Sequence, residues 1–214
     1  ELSRLVELAV ENSFDGFEEL SGVPGSAGGA AAMNAGTHIQ ELGDLIDSLA
    51  LVDNHGRRRI FRSDKLVKRY RTTLAPVAGV ITSLSFVRRP GGDPVRQAAR
   101  AAELVNGRKL KHPWREKTFG STFKNPPGQI AAKLIDGASL KGLRVGGARV
   151  SPVHANFIEN HDQATALDIV ELIRQVRRRV FDRTGVTLEP EVRLVGFSLE
   201  ELGELSPYAE STIN

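Results

Sequence analysis

The chain has 214 residues, 40% apolar and 26% charged, the composition expected of a soluble globular protein with length for one or two cores. Lysine and arginine exceed the acidic residues by three (29 against 26), too small an excess to mark a nucleic-acid partner. With no cysteine, disulfides, thiolate nucleophiles and cysteine-based metal sites are excluded, and no apolar run reaches the roughly 18 residues that predict a membrane span.

Leu5, Val6, Leu8, Ala9 and Val10 predict the apolar side of an opening helix. The only methionine is Met33, so Glu1 is not an initiator residue; the expectation is a fragment of a longer chain with no signal peptide. Asp15 to Gly36 is rich in glycine, alanine and serine and contains Pro24, which predicts a loop that turns tightly or wraps a ligand. Strands are predicted at 49–52 and 59–61, joined by the turn Asp53-Asn54-His55-Gly56. A longer strand follows at 77–87 with small residues Gly79, Ser83 and Ser85 on one face. Asp93-Pro94 should then start a helix, as cap and first residue, that Asn106-Gly107 stops.

The basic, proline-ended stretch Arg108 to Pro113 is the expected domain boundary. Beyond it a short helix is predicted over 127–136, with Ile130, Leu134 and Ile135 on one side and Gly137 as its stop. Residues 143–150, with Gly146 and Gly147, should end in a strand. The clearest helix covers 165–184. Thr165 caps it with Asp168 three residues on, Gly185 lies past its end, and Leu167, Val170, Ile173, Val176 and Val180 make its buried stripe. Arg177, Arg178, Arg179 and Arg183 sit near its C-terminus, where cations suit the helix dipole; no aromatic platform accompanies them, which argues against nucleic acid. A final strand is predicted over 186–195, with Val186, Leu188, Val192 and Leu194 inward and Thr187, Glu189, Glu191 and Arg193 outward.

Three segments carry chemistry. Gly22-Val23-Pro24-Gly25-Ser26-Ala27-Gly28-Gly29-Ala30 runs on to Asn34-Ala35-Gly36; Phe119-Gly120-Ser121-Thr122-Phe123-Lys124-Asn125-Pro126 follows, and Leu188-Glu189-Pro190-Glu191-Val192-Arg193 closes the set. Taken singly, Ser121 reads as a turn or cap residue, Glu191 as a solvated strand residue and Arg71 as a surface cation. Together and in this order the segments resemble the UDP-N-acetylenolpyruvoylglucosamine reductase (MurB) family, over nearly the whole chain.

The resemblance implies an α+β fold. Residues 1–110 would be the later part of an FAD-binding (PCMH/VAO-like) domain, 111–196 the family's substrate-binding domain, and 197–214 a loosely anchored tail. It implies NADPH-dependent, FAD-mediated reduction of the enolpyruvyl double bond of a UDP-sugar, in a cytoplasmic monomer without nucleic-acid or membrane partners and without a metal. By the same resemblance Ser121 matches the proton donor, Arg71 in Arg69-Tyr70-Arg71-Thr72-Thr73 the catalytic arginine, and Glu191 the catalytic glutamate. Tyr70, Lys124 and Asn125 match positions near the substrate, and Gly22, Pro24, Gly25, Ser26, Gly28, Gly29, Asn34 and Gly36 the cofactor segment.

The roles are physically coherent. Hydride addition leaves negative charge beside a carboxylate, which a fixed guanidinium stabilises more in the transition state than in the substrate. Glu191 helps only if protonated or hydrogen-bonded to substrate, and Ser121, a weak acid, needs a charged neighbour or water. Among five histidines no helical pair has metal spacing, and His154 in Ser151 to Phe157 reads as a structural hydrogen-bonding residue. Two departures stand out. Thr37-His38-Ile39 replaces the family's Ala-Tyr-Gly, and the family's Gly-Ser-Asn loop for the FAD pyrophosphate has no counterpart. The alternative is therefore a non-catalytic UDP-sugar-binding fragment that has lost flavin.

Overall fold

In the computed structural model, which describes residues 1–37 and 39–208, the opening helix α1 spans Leu2–Glu11 and buries Leu2, Val6 and Ala9. Leu8, expected inside, is exposed, because it lies about 100° round the helix from Ala9. The glycine-rich stretch is not all loop. Ala27–Ala32 forms α2, whose Gly29 N–H donates to the Ser26 hydroxyl at 3.1 Å. Alanine content and that cap outweigh the two glycines inside.

The central strand β1 (Ile46–Asp53) turns through 54–57 into β2 (Arg58–Arg62). Asp53 fixes the turn, its carboxylate accepting the His55 and Arg57 N–H groups at 3.0 and 2.9 Å and the Arg57 and Arg59 guanidiniums at 3.1 and 3.2 Å. A small hairpin not foreseen from sequence follows, β3 (Val67–Arg69) and β4 (Thr72–Leu74), turned by Tyr70-Arg71 with Arg71 in the left-handed region at φ 57°. Strand β5 (Gly79–Phe86) completes an antiparallel sheet of order β2-β1-β5. Phe17, Leu20, Leu42, Leu45, Ile46 and Leu49 fill the core beneath it, with Phe17 edge-on to Phe86 at 5.4 Å.

Helix α3 (Pro94–Lys111) starts where expected, the Asp93 carboxylate accepting the Val95 N–H at 2.9 Å. It does not stop at Asn106-Gly107. Gly107 is absent from the left-handed residues, and a right-handed glycine inside a helix costs only about 1 kcal/mol against alanine. The chain divides into two compact units within this helix, Glu1–Arg108 and Lys109 onward.

In the second unit, β6 (Thr118–Ser121) precedes α4 (Ala131–Gly137). That helix begins at Ala131 rather than at Pro127, because Gly128 sits at φ 70° and the Asn125 side chain accepts the Ala131 N–H at 3.0 Å. Strands β7 (Arg144–Val145) and β8 (Ala148–Val150) turn over Gly146-Gly147, and β9 (Phe157–Asn160) lies between β8 and β6 in an antiparallel sheet of order β6-β9-β8-β7.

Helix α5 (Ala166–Thr184) has the expected capping box of Thr165 and Asp168 and ends at left-handed Gly185. Val170, Leu172, Ile173, Val176 and Val180 are buried. Leu167 is exposed, about 60° beyond Val170 on the helical wheel, while Leu172 joins the buried arc from its other flank. Of the arginines near its C-terminus, Arg177 is buried, and its Nε donates to the Leu188 carbonyl at 2.9 Å.

Residues 186–195 keep the predicted alternation at Leu188 and Leu194, both buried, but form no strand. Pro190 has no N–H for a ladder, and the β-pairing of Phe123 with Pro190 is an isolated bridge. The tail expected to lie loose from Phe197 is held as far as Leu205: Ser198 caps α6 (Leu199–Leu202), and Leu202 and Leu205 join the core of the second unit. His38 and the end of the tail, 209–214, lie outside the described residues.

Candidate active site

Ser121 ends β6 just past a bulge. Thr118 pairs with Glu159 and Ser121 with Phe157, so three steps on β6 match two on β9, and Gly120 takes up the difference at φ 85°. The bulge re-aims Ser121, which is half-buried. Immediately after it the main chain is held by Asn156. The Thr122 N–H donates to the Asn156 carbonyl at 2.8 Å, the Phe123 N–H to Asn156 Oδ1 at 3.0 Å, and Asn156 Nδ2 to the Phe123 carbonyl at 2.8 Å.

The closing segment is tied to the same stretch. The Lys124 N–H donates to the Glu189 carbonyl at 2.9 Å and the Glu191 N–H to the Thr122 carbonyl at 2.8 Å. Ser121 and half-buried Glu191 are thus on adjacent segments. Lys124 Nζ meets the Glu189 carboxylate at 2.5 Å. Exposed Asn125 commits its side-chain oxygen to the start of α4.

His154 stands edge-on to Phe157 at 4.8 Å and to His112 at 5.2 Å, and its Nδ1 accepts the Asn156 N–H at 3.3 Å. Burial, assisted by the Lys141 charge, holds its pKa below the ordinary histidine value.

The first unit gathers the remaining expected residues. Gly22 and Gly25 are left-handed at φ 78° and 104°, and exposed Gly25 has open space where a side chain would project. Pro24 and Ser26 flank it at the surface, and Gly28 and Gly29 lie inside α2. Gly36 has a packing reason of its own, since a Cβ there would come within 2.6 Å of Glu41 Cα. Buried Asn34 joins this segment to the hairpin of Arg71: its Nδ2 donates to the Arg69 carbonyl at 2.9 Å and to Glu41 at 2.7 Å, and its Oδ1 accepts the Gly43 N–H at 2.9 Å. Arg71 Nη2 reaches the Gly36 carbonyl at 3.5 Å, and the guanidinium lies 4.7 Å from the centre of the exposed Tyr70 ring.

Among the described residues there is one further group of ligand-type atoms. Glu116, Glu159 and His161 bring theirs within 4.8 Å of one another. Arg149 already neutralises buried Glu159 at 2.6 Å and, with Arg144, stands 3.3 Å from His161 Nε2, which opposes a metal cation there. Sequence reasoning missed the organising roles of Asn156, Asn34 and Arg177. Asn156 lay in a segment already noted; nothing in the sequence signalled that Arg177 turns inward.

The family model for the UDP-N-acetylenolpyruvoylglucosamine reductase C-terminal domain matches residues 112–195. The chain is 44% identical over 209 residues to the protein of that name from Anaeromyxobacter dehalogenans (strain 2CP-C), covering 97% of this chain and 63% of that one. To its namesake from Methylorubrum populi it is 42% identical over 198 residues, 92% of this chain and 64% of that one. The crystal structure of UDP-N-acetylenolpyruvylglucosamine reductase (MurB) from Thermus caldophilus is similar with a TM-score of 0.79 at 36% identity, over 89% of this chain and 68% of that one. The chain spans about three fifths of the length of the curated relatives it matches.

Proposed function

The chain belongs to the UDP-N-acetylenolpyruvoylglucosamine reductase family, and we propose that it serves the NADPH-dependent, FAD-mediated reduction of UDP-N-acetylenolpyruvoylglucosamine to UDP-N-acetylmuramate, in peptidoglycan precursor synthesis. The observation that carries this reading is the pair of main-chain bonds, Glu191 N–H to Thr122 and Lys124 N–H to Glu189, that set the Ser121 and Glu191 segments side by side. In this reading residues 1–110 are the later part of the FAD-binding domain and 111–196 bind the substrate, in a cytoplasmic monomer.

FAD, when bound, supplies hydride to one alkene carbon. The left-handed turn at Gly22 to Gly25 fits such a ligand, because the space over Gly25 lets a large planar or phosphate-bearing group approach the main chain closely. Ser121 gives its hydroxyl proton to the other alkene carbon, an assistance of about 10² to 10⁴ in rate. Arg71 holds the carboxylate whose charge grows as the double bond is reduced, and Glu191 donates a hydrogen bond to the same developing enolate. Lys124 and Tyr70 flank the substrate, and Asn125 orders the main chain beside it.

The test is NADPH oxidation by a protein carrying this sequence at the full length of its relatives. Turnover should depend on the enolpyruvyl sugar, and a yellow protein without substrate-dependent turnover would overturn the reading. Each charge-assisted hydrogen bond to the flavin diphosphate is worth about 1.5 to 3 kcal/mol. Without the family's pyrophosphate loop, these 214 residues alone should bind FAD weakly.

A further inference from the structure

Arg108 is packed in an unusual way for an arginine. A Cβ added to Gly22 would lie 2.7 Å from Arg108 Cδ and 3.5 Å from its Nε, so the end of the arginine stem occupies the space a side chain at Gly22 would need. Only glycine, here at φ 78°, leaves that room. Burial, and then repulsion from the nearby Arg71 guanidinium, lower the Arg108 pKa from the ordinary arginine value. The contrast on the same helix is Arg100, neutralised by Glu19 and Glu103 at 2.9 Å each. Among the described residues no carboxylate pairs with Arg108. A half-buried guanidinium without a carboxylate partner costs free energy that an anion beside it offsets.

We propose that Arg108 is a diphosphate-binding residue, seated on Gly22 so that its guanidinium takes phosphate oxygens while Arg71 keeps the substrate carboxylate. The inference rests on the proposed reaction and adds to it. The substrate of that reaction carries two anionic groups, an enolpyruvyl carboxylate and a diphosphate, on one sugar ring, and Arg108 offers the diphosphate a cation distinct from Arg71. The planar fork of arginine suits phosphate oxygens in pairs. FAD carries the same diphosphate linkage, so the chemistry is shared and the source must be distinguished by experiment.

The experiment is calorimetric titration of the 214-residue chain at low salt with inorganic pyrophosphate, UDP-N-acetylglucosamine and FAD in turn. Arg108→Gln should weaken pyrophosphate binding about tenfold or more, the loss expected for one charge-assisted contact. Arg108→Lys should recover part of it, and Arg58→Gln, at an exposed site on β2, should change nothing. Gly22→Ala should weaken binding as well, by pushing the arginine stem off its seat. The unfolding midpoint of Arg108→Gln should stay that of the parent, which separates anion binding from a packing role. Loss of UDP-sugar affinity in Arg108→Gln identifies the substrate as the source, and loss of FAD affinity alone identifies the flavin. Pyrophosphate binding that depends on Arg108 without any UDP-sugar binding would leave this inference standing and count against the proposed substrate. A parent chain that binds no pyrophosphate, or an Arg108→Gln variant that binds it as the parent does, would overturn the inference, whatever becomes of the reaction.

Discussion

Asn156 spends both halves of its side-chain amide on the main chain of one residue, Phe123, accepting its N–H at 3.0 Å and donating to its carbonyl at 2.8 Å. All of these atoms are buried, so the clasp fixes the path of the chain directly after Ser121 without help from water. Asn156→Ala should leave two buried backbone groups without partners, at about 1 to 3 kcal/mol each. Urea unfolding of the second unit should show a loss of about 2 to 5 kcal/mol. A loss below about 1 kcal/mol would mean that the clasp is not what holds this segment.

Two glycines of the second unit should respond in opposite directions. Gly147 is enclosed by main chain, the Asp162 carbonyl and the Ala164 nitrogen, and its own carbonyl accepts the His161 and Asp162 N–H groups at 3.0 Å each. No side chain can yield there, so Gly147→Ala should cost more than about 3 kcal/mol or prevent folding. Gly137, at the end of α4, has open space and an ordinary φ, so Gly137→Ala should be neutral or stabilising by up to about 1 kcal/mol. Thermal unfolding of the two variants side by side checks the ranking.

The His154 ring should make stability depend on pH. Its pKa in the folded chain lies below the ordinary 6.5, so the unfolded chain binds the proton more readily. By linkage, its contribution is fully present above about pH 6.5 and declines as pH falls toward the lower folded value. The charged and titratable groups around it are Lys141 and His112. His154→Phe keeps an aromatic ring against His112 and Phe157, and should flatten the fall in melting temperature between about pH 7 and about pH 5. An unchanged pH profile would remove His154 as its source.

What the sequence made legible follows from how local each signal is. The capping box at Thr165 and Asp168 and the Gly185 stop are contained within one element, and both appear as read. The helix through Asn106-Gly107 and the late start of α4 were misread because a glycine's effect depends on its φ, which one sequence does not print. Residues 186–195 kept their alternation of burial but not their ladder, since strand periodicity reports faces and not hydrogen-bond partners. The segments of Ser121 and Glu191 stand out only through their order along the chain and the family resemblance that order carries; taken singly, each residue reads as an ordinary turn or strand residue. That the Lys124 N–H to Glu189 carbonyl and Glu191 N–H to Thr122 carbonyl bonds hold these segments next to each other is long-range pairing that no local pattern encodes.

Arg71 sits at φ 57° in its hairpin turn, a conformation uncommon for a residue with a side chain and compatible with a residue placed for function. Arg71→Lys keeps the charge and loses the planar fork. In a protein of full family length, kcat should fall about 100-fold or more with flavin content unchanged. Steady-state assay with parallel flavin spectra checks this, and parental turnover would end the assignment of Arg71 to the substrate carboxylate.

The account turns on Ser121 as the proton donor to the reduced alkene, and stopped-flow absorbance of Ser121→Ala in a protein of full family length tests it most directly. NADPH should bleach the flavin at close to the parental rate, because that half of the reaction needs no proton from Ser121. Reoxidation by the enolpyruvyl substrate should slow by about 10² to 10⁴. Reoxidation at the parental rate would contradict the account and leave Ser121 a bulge residue of β6 with no part in the chemistry.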